Sequence, residues 1–401
     1  MSASYNLKIC SFFVILAVAR GGLNPVVLIP GDGGSQVEAK LNKSASVHYI
    51  CEKTTSDFFN IWLNMELLVP LVIDCWIDNI KLIYDNATRT TRNNDGVEIR
   101  IPGFGGTETV EWLDPSHASA GAYFNSIAKT LVSLGHERNK TMKGAPYDFR
   151  KAPNENQQFF TDLKALIEQT YTENNNQPVI IIAHSMGGPM SLFFLNQQTQ
   201  DWKDKYIRSL VTLSGAWGGS MKAVKVYAIG DDLGSYVLRE SVMREEQITS
   251  PSLAWLLPSK LFWKPDEVLV QTSRKNFSLN NLEEFFQAIN FPNGWEMRKD
   301  TEKYQLDYRP PGVEVHCLYG VGVDTVERLF YKPGTWLDGY PTLINGDGDG
   351  TVNRRSLEGC LHWESLQKQK VYSKQLPKVD HMQILNNKDV LSYIANLIND
   401  V

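Results

Sequence analysis

The sequence predicts an α/β protein built on a parallel sheet, and three features indicate it. Residues 179–182 are four β-branched residues in a row, too short and too branched for a helix, so they predict a fully buried strand. Small residues turn the chain sharply after this strand, and the apolar run 189–195, which opens with a proline, predicts a helix. Strand-like and helix-like segments alternate on either side, as is typical of a parallel sheet covered by helices.

The other elements follow in chain order. Residues 25–30 predict the first buried strand, and the glycine-rich loop 31–35 follows it. Residues 54–80 carry more bulky apolar side chains than one helical face can bury, so they form a core helix pair or are partly exposed to lipid. Later segments predict strands over 97–100, 207–213, 313–320 and 369–375, a strand end and loop at 144–150, and helices over 124–134, 159–171 and 390–398. Between 215 and 311 the alternation stops, which indicates an insertion that caps the sheet.

Composition is ordinary for a globular protein, with 42% hydrophobic and 21% charged residues in 401. The net charge of −5 argues against a nucleic-acid partner and against binding by bulk attraction to anionic lipid. Contact with a membrane would therefore depend on apolar and aromatic side chains. No cofactor or metal is predicted, because the aspartates at 347 and 349 lack the later ligands of an EF-hand loop.

The N-terminus predicts a secretory signal peptide over residues 1–20, since Lys8 precedes a short apolar run that ends in small residues. The remaining residues, 21–401, would then enter an oxidising compartment. Four cysteines stay in that mature chain, and three pairings are possible; Cys51–Cys75 and Cys317–Cys360 are preferred. Four sequons agree with export and give candidate glycosylation sites at Asn42, Asn86, Asn139 and Asn276.

Ser185 is the candidate nucleophile because it sits at the turn between the buried strand and its helix. Strand and helix pass close there, so small residues are needed two positions either side, and Ala183 and Gly187 supply them. The pattern is that of a nucleophile elbow with alanine in the first place. His184, beside the serine, is expected to pack or to fix the turn rather than to act as base.

A serine hydroxyl needs a base that an acid orients, and in such enzymes the acid and then the histidine follow the serine along the chain. His381 is preferred over His316, which lies in a strand pattern, and over His362, which lies in a helical pattern. The glycine-rich loop 346–350 carries the acid. Asp349 is preferred, and Asp347 is expected to brace the loop.

The loop after the first strand has two interpretations. It is either a tight strand-to-helix turn or the loop that directs a backbone N–H toward the oxyanion of a transition state. In the second case the donors are the N–H groups of Asp32 and Met186.

The motifs of this chain, taken together, resemble those of the lecithin:cholesterol acyltransferase family. The stretches that carry the resemblance are VVLIPGDGGSQVEAKL, DCWIDNI, IPGFGG, GAPYDFR, AHSMGG, DKYIR, WLLP, PPGVEVHCLYG and GDGDGTVN, in that order from about residue 25. The resemblance implies an α/β-hydrolase fold, a Ser185–Asp349–His381 triad, an oxyanion hole at Asp32 and Met186, and both preferred disulfides.

The resemblance also implies that residues 50–80 form a membrane-binding subdomain, with Trp62, Leu67, Leu68 and Val69 as candidates for lipid insertion. Residues 223–244, within the 215–311 cap, match the family's mobile lid, although their sequence departs from the family pattern. Met186 and Gly188 are similar to the lysosomal branch, whereas the plasma branch has leucine and cysteine there.

The expected function is that of a lysosomal or secreted serine phospholipase A and transacylase. By the resemblance, it would act at a phospholipid membrane or lipoprotein surface, take an acyl group from a phospholipid donor, and pass it to water or to a lipid alcohol such as ceramide. Two alternatives stay open at this point: a plasma-type phosphatidylcholine–sterol acyltransferase, and a non-catalytic lipid-binding protein.

Overall fold

The structure is a computed structural model that describes residues 23–235 and 238–399. The predicted signal peptide, residues 1–20, lies outside the described residues. In the described part, the strands are β1 (Val26–Ile29), β2 (Val37–Leu41), β3 (Phe59–Trp62), β4 (Leu82–Asp85), β5 (Thr90–Asn93), β6 (Val97–Arg100), β7 (Met142–Gly144), β8 (Val179–His184), β9 (Ile207–Leu213), β10 (Val270–Gln271), β11 (Asn276–Phe277), β12 (Val315–Val321), β13 (Val323–Phe330), β14 (Thr342–Gly348) and β15 (Val371–Pro377).

Helices alternate with these strands. Across residues 23–235 and 238–399 the α-helices are α1 (Ile73–Ile80), α2 (Glu108–Glu111), α3 (Asn125–Ser133), α4 (Gln157–Glu173), α5 (Gly187–Asn196), α6 (Gln200–Tyr206), α7 (Met221–Ile229), α8 (Glu240–Gln247), α9 (Pro251–Trp255), α10 (Leu282–Ala288), α11 (Pro292–Leu306), α12 (Arg354–Leu357) and α13 (Lys388–Asn399).

The centre of the fold is a six-stranded sheet in the order β15-β12-β9-β8-β1-β7, and every neighbouring pair is parallel. This confirms the predicted α/β fold with a parallel sheet. Parallel strands need crossover connections, and the predicted helices supply them. The helix predicted over 159–171 is α4, and the closing helix predicted over 390–398 is α13.

Both faces of this sheet are covered, which explains why β1 and residues 179–183 of β8 are apolar without interruption. Successive side chains of a strand point to opposite faces. Ile180 and Ile182 of β8 pack in one cluster with α3 and α13, whereas Ile181 and Ala183 pack in another with α4 and α5. The result is a three-layer sandwich, with helices on both faces of the sheet and the candidate catalytic residues near the ends of strands.

The predicted cap contains a separate apolar cluster, to which α7, α9, α10 and α11 contribute. A four-stranded sheet in the order β11-β10-β13-β14 belongs to the same part of the molecule. Strands β13 and β14 lie beyond residue 311, so this part of the fold extends past the predicted 215–311 insertion. The subdomain boundaries themselves stay predictions.

The segment predicted to meet lipid is partly core. Strand β3 pairs with β2 in a three-stranded antiparallel sheet, and the Cys51–Cys75 disulfide ties the segment to α1. Leu68 is 4% exposed and packs in the core, so the structure does not place this side chain at the surface. Trp62 and Leu67 are half-buried against the same cluster, and of the four candidates Val69 is exposed.

Two residues that the sequence did not single out are exposed beside Val69. Met65 is 42% exposed and Leu71 is 65% exposed. Among the described residues, no helix combines the length and apolar character that crossing a bilayer requires. Between residues 50 and 80 the exposed large apolar side chains are Ile50, Met65, Val69 and Leu71.

Covalent features agree with the sequence. The second preferred disulfide, Cys317–Cys360, is present and joins β12 to the short 3₁₀ helix Glu358–Trp363. The four sequon asparagines are all exposed: Asn42, Asn86, Asn139 and Asn276. Their glycosylation stays a prediction.

Candidate active site

Ser185 lies in the turn between β8 and α5, and its backbone is in the left-handed region with a φ of 54°. Left-handed backbone is uncommon for a residue other than glycine and marks a strained position. A Cβ at Gly187 would lie 2.5 Å from the carbonyl oxygen of Ile29, and one at Gly31 would lie 2.6 Å from the Cβ of Ser185. Glycine is therefore needed at both places for β1, its loop and the serine to come together.

His381 reaches the serine from the loop after β15. Its Nε2 lies 2.8 Å from Oγ of Ser185, although the two residues are 196 positions apart. The backbone N–H of His381 donates to the carbonyl of Asp349 at 2.8 Å, which fixes this loop to the end of β14.

Asp349 completes the arrangement, with its Oδ2 2.7 Å from Nδ1 of His381. The other oxygen, Oδ1, accepts hydrogen bonds from the backbone N–H groups of Thr351 (3.0 Å) and Val352 (2.7 Å). Burial by itself would raise the pKa of the Asp349 carboxyl. The pKa nevertheless lies below its usual value because His381 and these N–H groups favour the carboxylate.

The competing residues lie elsewhere. Asp347 accepts a hydrogen bond from the Gly322 N–H and pairs with Arg354, so it braces the loop as expected. His316 is hydrogen-bonded to Tyr393 and Glu314. His362 packs against Phe262. The structure thus brings together the serine, histidine and aspartate that the sequence favoured.

The two predicted oxyanion donors flank the serine. Met186 follows it directly and is fully buried, and Asp32 follows Gly31, which is in contact with the serine. In the described part of the chain, neither the Asp32 N–H nor the Met186 N–H donates to another protein group. Both are therefore free to meet an oxygen bound at Ser185.

The oxyanion loop is also held from the segment predicted to bind lipid. The indole Nε1 of Trp62 donates to the carbonyl of Gly33 at 2.7 Å, and the indole ring lies 3.2 Å from where a Cβ of Gly33 would be. Trp62 therefore contacts the active-site loop, which explains its partial burial.

His184 does not act on the serine. Its Nδ1 hydrogen-bonds to the hydroxyl of Tyr123, and its Nε2 lies 2.9 Å from the backbone carbonyl of His381. Burial and the neighbouring His381 lower the pKa of His184 to about 3. The sequence did not identify Tyr123, and no local signal marks it, because its partner His184 is 61 positions away.

Two carboxyl groups near the loop have raised pKa values. Asp32 is exposed by its accessible surface, but protein atoms surround its carboxyl group closely. The resulting desolvation raises the pKa of the carboxyl to about 6, although the positive charge of Lys222 acts in the opposite direction. Burial and the proximity of Asp32 raise the pKa of Glu246, on α8, to about 8. Among the described residues there is no cluster of histidine, cysteine and carboxylate side chains suited to a metal ion.

This geometry is suited to acyl transfer. A hydroxyl nucleophile lies within hydrogen-bond distance of an imidazole, a buried carboxylate orients the imidazole, and two unpaired N–H groups lie beside the nucleophile.

Comparisons with known proteins agree with this chemistry. The family model for lecithin:cholesterol acyltransferase matches residues 58–388. The chain is 46% identical over 382 residues to the human lysosomal phospholipase A and acyltransferase, covering 95% of this chain and 92% of that protein. It is 41% identical over 361 residues to the phosphatidylcholine-sterol acyltransferase of Gallus gallus, covering 90% and 87%.

One solved structure shares the fold over nearly the whole chain. A chain of the Tle4–Tli4 complex superposes with a TM-score of 0.57 at 13% identity, covering 94% of this chain and 98% of that one.

Proposed function

This chain belongs to the lecithin:cholesterol acyltransferase family, and on that premise we propose that it is a phospholipase A and acyltransferase that works through an acyl-serine intermediate. The observation that carries the proposal is the contact of His381 with both Ser185 and Asp349, at 2.8 and 2.7 Å. The names of its relatives support the reaction class.

In the first half-reaction, Ser185 attacks the carbonyl carbon of a glycerophospholipid ester while His381 takes the hydroxyl proton. The carbonyl oxygen becomes an anion that accepts hydrogen bonds from the N–H groups of Asp32 and Met186. Losing one such donor typically costs ~3 kcal/mol of transition-state stabilisation. The tetrahedral intermediate then breaks its bond to the glycerol oxygen, which takes the proton from His381 and leaves as a lysophospholipid.

In the second half-reaction, an acceptor hydroxyl gives its proton to His381 and attacks the acyl-serine. Water as acceptor releases a fatty acid, and a lipid alcohol such as ceramide yields its acyl ester. In both cases the proton returns to Oγ of Ser185 and regenerates the enzyme. Asp349 stays a carboxylate throughout, since its lowered pKa favours the anion beside a protonated imidazole.

The proposed place of action is a phospholipid membrane or lipoprotein surface, in the lysosome or outside the cell. A lysosomal location follows the names of the relatives at 46% identity. Met65, Val69 and Leu71 supply an exposed apolar surface on the disulfide-tied segment. Trp62 joins that segment to the oxyanion loop, so a lipid surface bound there would lie near the site.

The test measures fatty-acid release from phosphatidylcholine liposomes, with ceramide or cholesterol added as acceptor. Ser185→Ala is expected to abolish release and fluorophosphonate labelling. Its matched control is Ser191→Ala, which removes a buried hydroxyl that donates to the Gly187 carbonyl on the same helix. Wild-type activity in Ser185→Ala would refute the proposal, and acyl transfer to cholesterol in preference to ceramide would establish the plasma-type alternative.

A further inference from the structure

A continuous hydrogen-bonded chain joins the oxyanion loop to the loop of the base. The Gly31 N–H donates to the Tyr123 hydroxyl oxygen at 2.9 Å. The same hydroxyl bonds to Nδ1 of His184 at 2.5 Å, and Nε2 of His184 lies 2.9 Å from the His381 carbonyl. The chain therefore runs from the residue before Asp32 to the proposed base.

The direction of every bond in this chain is determined by its two ends. A backbone N–H can only donate and a backbone carbonyl can only accept. Nε2 of His184 must therefore carry the proton that it donates to the His381 carbonyl. A neutral His184 then has an unprotonated Nδ1, so the Tyr123 hydroxyl donates to it and accepts from Gly31.

The hydrogen-bonded chain from Gly31 to His381 is also enclosed by protein. Tyr123 is 4% exposed and His184 is 1% exposed, so water does not compete for these bonds. A Cβ at Gly34 would lie 2.7 Å from the Tyr123 ring, which shows that this ring also packs against the far side of the oxyanion loop. A buried group that lost its partner here would have no replacement.

We infer that Tyr123 and His184 are positioning residues, which hold the oxyanion loop and the His381 loop at a fixed separation around Ser185. Neither side chain hydrogen-bonds to Oγ of Ser185. Their effect on catalysis comes from this positioning, because the oxyanion donor of Asp32 and the base His381 must both lie within a fraction of an ångström of their productive positions. This inference rests on the proposed function and adds residues that the triad pattern does not contain.

The test compares Tyr123→Phe with a matched control elsewhere in the molecule. Tyr123→Phe removes one oxygen and leaves the ring in place. Tyr393→Phe removes the same atom from another Tyr–His pair, the 2.7 Å bond to Nδ1 of His316, which contacts neither the triad nor the oxyanion loop. Turnover on phosphatidylcholine liposomes is measured per active site, counted by fluorophosphonate titration.

We expect Tyr123→Phe to lower kcat by about 10- to 100-fold with KM unchanged, since a displacement of ~1 Å of a catalytic group can cost about 100-fold. Tyr393→Phe should stay within twofold of the wild type. A Tyr123→Phe enzyme that matches Tyr393→Phe per active site would overturn the inference, because the hydroxyl would then be structural only.

His184 provides the second variant and decides the question if Tyr123→Phe does not fold. His184→Phe keeps an aromatic ring but removes both the donor for the His381 carbonyl and the acceptor for the Tyr123 hydroxyl. It should lower kcat per active site by about 10- to 100-fold, and an unchanged kcat would overturn the inference. Where Tyr123→Phe folds, the double variant should lose no more than the worse single change, because both substitutions break the same hydrogen-bonded chain. Independent, additive losses would contradict the inference.

The rate of fluorophosphonate labelling separates this inference from the proposed function. Labelling needs the activated Ser185 and the oxyanion donors but no lipid. If the wild type labels but does not cleave phospholipid, the proposed substrate is wrong, and a slower labelling rate in Tyr123→Phe still supports the positioning role. An unchanged labelling rate in that variant would contradict it.

Discussion

Replacing Asp349 with asparagine should nearly abolish turnover while leaving the fold intact, and the structure explains why. The side chain is fully buried, and its Oδ1 accepts from the N–H groups of Thr351 and Val352. In Asp349→Asn the amide oxygen must occupy that position, because the NH₂ group cannot accept a hydrogen bond. The NH₂ group then faces Nδ1 of His381.

The consequence is a change of tautomer at His381. Its Nδ1 becomes the acceptor of the asparagine NH₂, so its proton moves to Nε2, the atom that lies 2.8 Å from Oγ of Ser185. A protonated Nε2 cannot take the proton of the serine. In serine hydrolase triads this change lowers kcat by ~10⁴-fold, which corresponds to about 5 kcal/mol of barrier at ~1.4 kcal/mol per tenfold.

The assay is steady-state hydrolysis of phosphatidylcholine liposomes with the fluorophosphonate labelling rate in parallel. Asp347→Asn is the control, since that residue lies two positions away and braces the loop through Gly322 and Arg354. It should change kcat less than about tenfold. The reasoning fails if folded Asp349→Asn keeps more than a tenth of wild-type turnover, or if Asp347→Asn is the more damaging change.

Three further predictions concern pH, lipid binding and stability. Because the pKa of Asp32 is about 6, its carboxyl becomes an anion beside the oxyanion site as pH rises through that value, so kcat should fall there; Asp32→Asn should flatten this fall, and a pH–rate profile tests it. Leu71→Glu should weaken liposome sedimentation, whereas Leu366→Glu, at an equally exposed leucine outside that segment, should not; equal loss in both would count against the predicted surface. Removing the Cys51–Cys75 disulfide, whose cysteines are 24 positions apart, should lower the free energy of unfolding by roughly 3 kcal/mol in denaturant titration, and no change would contradict the link's role.

Local patterns predicted much of the central sheet. The buried strand, the small residues around Ser185 and the helix beyond it follow from rules that act over a few residues, and β8 and α5 have the expected positions. The preference for Asp349 over Asp347 also agrees with the structure, because only Asp349 lies against His381.

The residues predicted to contact lipid show what short-range patterns do not determine. Leu68 is as apolar as Leu71, yet Leu68 is 4% exposed and Leu71 is 65% exposed. Hydrophobicity gives both the same preference for burial, and the packing of the whole segment against α1 decides which one is buried.

By itself, the sequence determined the parallel α/β core, the family, and the three residue types of the triad in their chain order. These features depend on patterns of side-chain size and polarity over a few neighbouring residues, and such patterns can be read from a single sequence. Only the tertiary structure decided that Tyr123 and His184 connect the oxyanion loop to the His381 carbonyl and that Trp62 holds Gly33. Such contacts join residues far apart along the chain, and a hydrogen bond depends on distance and direction that only the packed fold specifies.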